Sequence, residues 1–111
     1  MLCVTQDKGD TMKVLISQPM KGLSNEQIKA NREKIVEEFK RLKYEVIDSV
    51  FDFEDIEGVK TKPLFYLAKS LELIAHKADA VYFMKGWEEA RGCKIEHDCC
   101  IAYDVPVLYE D

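Results

Sequence analysis

Residues 78–84 read ADAVYFM, a short run of apolar and aromatic side chains that is typical of a buried strand. A similar run, KVLIS, covers residues 13–17, and weaker strand patterns cover residues 44–48 and 105–109. Each strand pattern is separated from the next by a segment that contains a helical pattern. The sequence therefore predicts the order β-α-β-α-β-α-β.

Three segments carry the helical patterns. Ser24 with Gln27 three residues later matches a capping box, which predicts a helix start. The apolar side chains behind it recur at helical spacing and are Ile28, Ile35, Phe39 and Leu42. Pro63 can open the second helix, whose apolar face is predicted to hold Leu64, Leu67, Leu71 and either Ile74 or Ala75. The third helix is predicted from about Gly92 to Tyr103. Residues 49–62 are acidic, and we predict a loop there.

Strands that alternate with helices pair in parallel through right-handed crossovers. We therefore predict an α/β three-layer sandwich: a flavodoxin-like parallel sheet of about four strands, in the order 2-1-3-4, with helices on both faces. Pro106 lacks an N–H donor, so the last strand is expected at an edge. Residues 13–111 are expected to form a single domain, and residues 1–12 a flexible N-terminal tail.

Composition excludes several classes of protein. The 111 residues hold 16 Lys+Arg and 21 Asp+Glu, a net charge of −5, which argues against a nucleic-acid polymer as partner. No apolar stretch approaches the roughly 20 residues that cross a bilayer, and the N-terminus has no signal-peptide pattern, so no membrane partner is expected. The four cysteines form a poor disulfide framework and are Cys3, Cys93, Cys99 and Cys100. Reduced thiols and a cytoplasmic location are predicted.

The predicted topology also places the ligand. Open parallel sheets bind ligands at the carboxyl ends of the strands, beside the point where the strand order reverses, here between strands one and three. That point selects the loops at residues 17–24 and 85–92. Neither loop contains the glycine pattern of a dinucleotide fold or a P-loop. Gly22, Gly86 and Gly92 permit close approach of a ligand, or they only turn the chain.

Glu96 is the candidate catalytic residue. It lies one turn into the third helix, where the helix dipole favours an ionised carboxylate, and such a carboxylate suits the nucleophile of glycosyl transfer. An ordinary surface glutamate is the alternative. On the same helix, Cys93, His97 and Cys100 share a face that can supply metal ligands, and Cys93 with His97 can form a catalytic dyad. Paired cysteine knuckles are absent and no third group orients the dyad, so we expect no metal and no cofactor.

Other side chains flank the same loops. Trp87 either covers a base or sugar or folds over the crevice as a lid. The cations beside the crevice, which can meet a phosphate or be surface charges, are Lys21, Lys85 and Arg91. Arg91 precedes a helix N-terminus at Gly92, which presents free N–H groups to an anion. A nucleotide is therefore expected in preference to a nucleoside.

These segments resemble the nucleoside 2-deoxyribosyltransferase superfamily over residues 12–110. The motifs that carry the resemblance are Ile16-Ser-Gln-Pro-Met20 with Gly22, Ala78-Asp-Ala-Val81, Gly86-Trp-Glu88, Gly92-Cys-Lys-Ile-Glu96, Ala102 and Pro106-Val107. The resemblance implies that Glu96 attacks C1′ of the sugar and expels the base, in a deoxyribosyltransferase or an N-glycosidase. The expected substrate-binding residues are Ser17, Gln18, Pro19, Met20, Gly22, Gly86, Trp87, Arg91 and Gly92.

The chain also departs from that superfamily. Ser70 or Leu71 falls where the superfamily usually has an aspartate that orients the nucleophile. A fifth strand and the C-terminal segment of the long enzymes are not expected within residues 1–111. Glu88 and Glu89 are candidate partners for the leaving base. A nucleotide-binding module without turnover is therefore the alternative function. Short sheet edges and an incompletely covered pocket predict a homodimer or a larger homo-oligomer.

Overall fold

The computed structural model of the chain describes residues 11–47 and 58–111. Strands and helices alternate along these residues. The strands are β1 (Lys13–Ser17), β2 (Glu45–Val46), β3 (Ala80–Phe83) and β4 (Val107–Tyr109). The α-helices are α1 (Asn25–Arg41), α2 (Lys62–His76) and α3 (Arg91–Ala102), and a single 3₁₀ turn covers Trp87–Glu89.

The four strands form one parallel sheet in the order β2-β1-β3-β4, which confirms the predicted fold class and strand order. In the central pair, Ser17 at the end of β1 lies opposite Phe83 at the end of β3. The order reverses at this pair, because β1 connects outward to β2 and β3 connects outward to β4. The carboxyl ends of β1 and β3 therefore form the switch point of the sheet.

The helices cover both faces of the sheet. On one face, Val14 and Ile16 of β1 pack in a cluster with Ile35 and Phe39 of α1. On the other face, Leu15 of β1 belongs to a cluster that includes side chains of β3, α2 and α3, namely Val81, Phe83, Ile74 and Cys100. Alternation along β1 produces this division, since successive strand residues point to opposite faces.

The first helix begins as predicted. The Ser24 hydroxyl accepts from the Gln27 N–H at 3.1 Å, and the Gln27 side chain accepts from the Ser24 N–H at 2.9 Å. The prediction that Leu42 belongs to the buried face is wrong, because this residue is the C-cap and is 57% exposed. The next residue, Lys43, has a positive φ of 65°, so the chain leaves the helical path there.

Strand and helix limits differ modestly from the prediction. The Ile47 N–H still donates to the Val14 carbonyl at 2.9 Å, so pairing continues one residue beyond β2, and Asp48 lies outside the described residues. Immediately before β4, the Pro106 carbonyl accepts from the Val81 N–H, although proline itself donates nothing. Leu64 of α2 is 61% exposed, contrary to expectation, since the core contacts of α2 come from its later turns. Most of the predicted tail and of the acidic loop also lies outside the described residues.

Candidate functional site

Glu96 is buried beneath the carboxyl end of β1 and is only 7% exposed. The Ser17 hydroxyl donates to its carboxylate at 2.5 Å. The Ser70 hydroxyl donates a second hydrogen bond to the same carboxylate. One acidic side chain of α3 is thus held by the last residue of β1 and by a residue of α2.

Local periodicity explains why these three side chains meet. Ser17 follows Leu15 by two positions in β1 and therefore points to the same face of the sheet, where α2 and α3 pack. Glu96 shares the buried face of α3 with Cys93 and Cys100, at spacings of three and four residues. Ser70 lies one turn before the buried Ile74 of α2, so its hydroxyl faces the same layer.

The environment shifts the protonation of this carboxyl group. Burial raises the pKa of Glu96, because the charged form loses hydration, and the hydrogen bonds from Ser17 and Ser70 lower it less than burial raises it. The site therefore combines a desolvated carboxylate with two neutral donors. A carboxylate of this kind can act as a nucleophile or a proton acceptor once it is ionised.

The cysteines beside Glu96 are not activated nucleophiles. Burial raises the pKa of the Cys93 thiol to about 11, with a hydrogen bond to Ser17 lowering it and the charge of Glu96 raising it. Burial likewise raises the pKa of Cys100 to about 11. Both groups are thiols at neutral pH, whereas a catalytic cysteine needs a lowered pKa. The structure therefore gives no support to a dyad of Cys93 with His97.

His97 belongs to an aromatic cluster at the carboxyl ends of β3 and β4. Its ring stacks on Trp87 with centroids 4.2 Å apart, and its Nε2 lies 2.6 Å from the hydroxyl of Tyr109. Phe83 contacts both rings from beneath. One face of the predicted site residue Trp87 is thus covered by His97. The described residues contain no group of three His, Cys, Asp or Glu side chains arranged to hold a metal ion.

The two predicted loops meet at the switch point. Gly86 has a φ of +92°, and a Cβ there would lie 3.5 Å from Pro19 Cγ. Gln18 is 8% exposed and its Nε2 donates to the Ile28 carbonyl of α1 at 2.7 Å. Pro19 and Gly86 therefore lie close to each other at the carboxyl ends of β1 and β3, where Ser17 bonds to Glu96.

The remaining predicted residues of the first loop lie further out. Met20 and Lys21 are exposed, and the Met20 carbonyl accepts from the Leu23 N–H in a turn. Gly22 has a φ of +83° in that turn, and a Cβ there would have no other atom within 4 Å. In the second loop Lys85 is exposed as well, and its N–H donates to Glu110.

Arg91 is not brought together with Glu96. Five residues at about 100° each place the two side chains roughly 140° apart around the α3 axis. Arg91 instead lines an open groove of about 330 Å³ on the outer face of α3, together with Glu88, Glu89, Lys94, Ile95 and Asp98. The candidate leaving-base partners Glu88 and Glu89 lie in that groove too. Gly92, in the first turn of α3, faces open space.

The sequence matches a known protein family over nearly all of the residues that form this fold. The family described as a domain of unknown function, DUF4406, matches residues 12–109. The chain belongs to the DUF4406 family. No curated protein matches it. The DUF4406 match therefore includes β1, Ser70 and Glu96, and with them all parts of the buried carboxylate site.

Two further findings concern this DUF4406 domain as a whole. No helix among the described residues has the length and apolar character needed to cross a bilayer. The predicted site leaves out Ser70, although the sequence carries a signal for it: Ser70 or Leu71 falls where the superfamily that the chain resembles usually has an orienting aspartate. In the structure the Ser70 hydroxyl is a hydrogen-bond partner of Glu96.

Proposed function

We propose that this DUF4406 domain acts on the N-glycosidic bond of a nucleoside or nucleotide, as a deoxyribosyltransferase or an N-glycosidase with Glu96 as nucleophile. The observation that carries the proposal is the buried Glu96 carboxylate held by Ser17 and Ser70 at the switch point. Ligands of open α/β sheets bind at that position. The motifs that resemble the nucleoside 2-deoxyribosyltransferases supply the substrate class.

The proposed reaction has two steps. In the first, an oxygen lone pair of the ionised Glu96 forms a bond to C1′, and the electron pair of the C1′–N bond leaves with the base, which takes up a proton. In the second, water or another base attacks C1′ and the carboxylate leaves. Glu96 is thus regenerated, and the net change is hydrolysis or exchange of the base.

Ser17 and Ser70 are positioning residues in this scheme. Their hydroxyls fix the carboxylate on two sides and favour its ionised form, which opposes the effect of burial on its pKa. Because these donors are uncharged, they do not neutralise the carboxylate as an arginine or lysine would. Once Glu96 has lost its proton, its negative charge is therefore not cancelled by a neighbouring cation and remains available for attack on C1′.

A binding module without turnover is the second candidate function. It is favoured because Glu88 and Glu89, the predicted partners of the leaving base, line the outer groove of α3, and Glu96 is not part of the lining of that groove. A leaving base needs a proton donor, which can be a side chain or water. A protein that binds nucleotides but never releases base would fit this second candidate.

Base release separates the two candidates. Purified protein is incubated with 2′-deoxynucleosides and their 5′-monophosphates, with and without an acceptor base, and free base is measured by chromatography. We expect base release by the wild type and none by Glu96→Gln. Glu37→Gln, a change of an exposed glutamate on α1, is the matched control and should retain activity. Ligand binding by the wild type without base release from any substrate would favour the binding module.

A further inference from the structure

An amide oxygen beside the candidate site has no hydrogen-bond partner. Within residues 11–47 and 58–111, Gln18 Oε1 is the one buried side-chain oxygen or nitrogen that lacks one. Gln18 is 8% exposed, so bulk water does not compensate. A buried acceptor left unpaired costs about 1–3 kcal/mol, and native proteins rarely keep one without a reason.

The orientation of this amide is set by its other end. Gln18 Nε2 donates to the Ile28 carbonyl of α1 at 2.7 Å. A reversed amide would place its oxygen against that carbonyl oxygen, and two acceptors repel each other. The unpaired atom is therefore the oxygen, and the group it lacks is a hydrogen-bond donor.

Gln18 and Glu96 approach the end of β1 from opposite layers. Ser17 directs its hydroxyl to Glu96 on the α2 and α3 side, whereas the next residue, Gln18, bonds to α1 on the other side. A ligand at the carboxyl end of β1 would have the carboxylate on one side and the Gln18 amide on the other.

We propose that Gln18 is a specificity-determining residue whose Oε1 accepts a hydrogen bond from an amino group of the base. This inference rests on the proposed function. A nucleophile and a leaving group lie on opposite sides of the carbon at which substitution occurs, so a base expelled by Glu96 lies on the α1 side of C1′. Adenine, cytosine and guanine each carry an exocyclic amino group that can donate to Oε1, and the substrate class is the nucleosides or nucleotides of these amino-bearing bases.

The loop beyond Gln18 allows this oxygen to be reached. Positions 20–24 are all exposed, and the turn there is held by its own Leu23–Met20 hydrogen bond. A shift of residues 20–23 would therefore leave the core packing and the Ser24 cap of α1 in place. Displacement of the loop by a base would exchange an unpaired acceptor for a paired one.

The test measures binding in the Glu96→Gln protein, which cannot turn over by the proposed route. The probes are 2′-deoxyadenosine and 2′-deoxycytidine, each with an analogue in which hydrogen replaces the amino group. We expect each amino compound to bind about tenfold more tightly than its analogue, a typical loss when a site's polar group is left unpaired. Gln18→Met, which keeps the side-chain length, should reduce that ratio to about one. Lys29→Met, an exposed change on α1, should leave the ratio unchanged.

Each outcome bears on one claim. If the protein with Gln18 intact binds the amino compound and its analogue equally in both pairs, the inference is overturned, and this result does not depend on whether Gln18→Met folds. A preference for the amino compounds that persists in Gln18→Met overturns it too. Absence of binding by all four compounds overturns it as well. Base release by the wild type alongside such a result would leave the proposed function standing. A ratio lost in Gln18→Met without any base release would support the role of Gln18 and count against catalysis.

Discussion

The hydroxyl oxygen of Ser17 lies 2.5 Å from Oε1 of Glu96, which joins the last residue of β1 to the second turn of α3. Both side chains are almost fully buried, at 3% and 7% exposure. The bond therefore connects the central strand to the helix layer at the point where a ligand is expected. It makes Ser17 the most direct probe of how the protein holds this carboxylate.

Removal of that hydroxyl should be costly at neutral pH. Ser17→Ala leaves the Glu96 carboxylate with one donor fewer, and we expect a loss of about 1–3 kcal/mol in the free energy of unfolding. In the Glu96→Gln background the same change should cost less, because a neutral amide depends less on the donor. Urea unfolding of the four proteins in this double-mutant cycle measures the difference. Identical costs in both backgrounds would show that the hydroxyl does not support the charge.

Glu96 should also make stability depend on pH. Its pKa in the folded protein is raised above the ordinary value of 4.5, so the folded state binds this proton more tightly than the unfolded state. The stabilisation is present below the unfolded pKa and is lost as pH rises through the folded pKa. The unfolding free energy of the wild type, relative to that of Glu96→Gln, should fall with rising pH by at most about 1.4 kcal/mol per unit, and then level off. A difference that stays constant from about pH 4 to about pH 8 would contradict the assignment.

The role of Ser70 is best measured as a pH profile. The Ser70 hydrogen bond lowers the pKa of Glu96, so Ser70→Ala should move the acidic limb of kcat/KM for base release to higher pH. Activity at about pH 5 should then fall more than activity at about pH 8. Ser70→Thr keeps a hydroxyl and should restore the wild-type limb. A uniform loss at every pH would indicate a structural effect alone.

The two glycines of the second loop should respond in opposite ways. Gly86 has a φ of +92°, where a side chain is strained, so Gly86→Ala should cost about 1–2 kcal/mol of unfolding free energy. Gly92 lies in the first turn of α3 with open space around it, so Gly92→Ala should stabilise by up to about 1 kcal/mol. Thermal unfolding of both variants tests the pair, and destabilisation by Gly92→Ala would show that this position needs glycine for another reason.

The sequence predicts those features that local pattern and topology determine. Alternating strands and helices lead to the 2-1-3-4 order, and the Ser24–Gln27 spacing identifies the start of α1. The position of Glu96 at the switch point follows from the same topology. Periodicity does not say where a helix stops contacting the core, and for that reason it assigns Leu42 and Leu64 to buried faces that they do not occupy.

Contacts between distant segments are harder to predict. Ser17 and Ser70 lie 79 and 26 positions before Glu96, and only the packed layers show that both hydroxyls reach it. Arg91 is adjacent to Gly92 in the chain, which suggests a role beside the crevice. Helix geometry turns its side chain to the outer groove instead. Trp87 is in the expected loop, but its stacking on His97 depends on α3.

Direct detection of a glycosyl-enzyme tests the central claim, that Glu96 is a nucleophile. The wild type and Glu96→Gln are incubated with a 2′-deoxy-2′-fluoro arabinosyl nucleoside, whose fluorine destabilises the cationic transition state and slows breakdown of the intermediate. Intact-protein and peptide mass spectrometry should show the mass of one sugar added to the wild type, on the peptide that contains Glu96, and no addition to the variant. Base release at equal rates by both proteins, with no sugar attached to either, would contradict this role for Glu96.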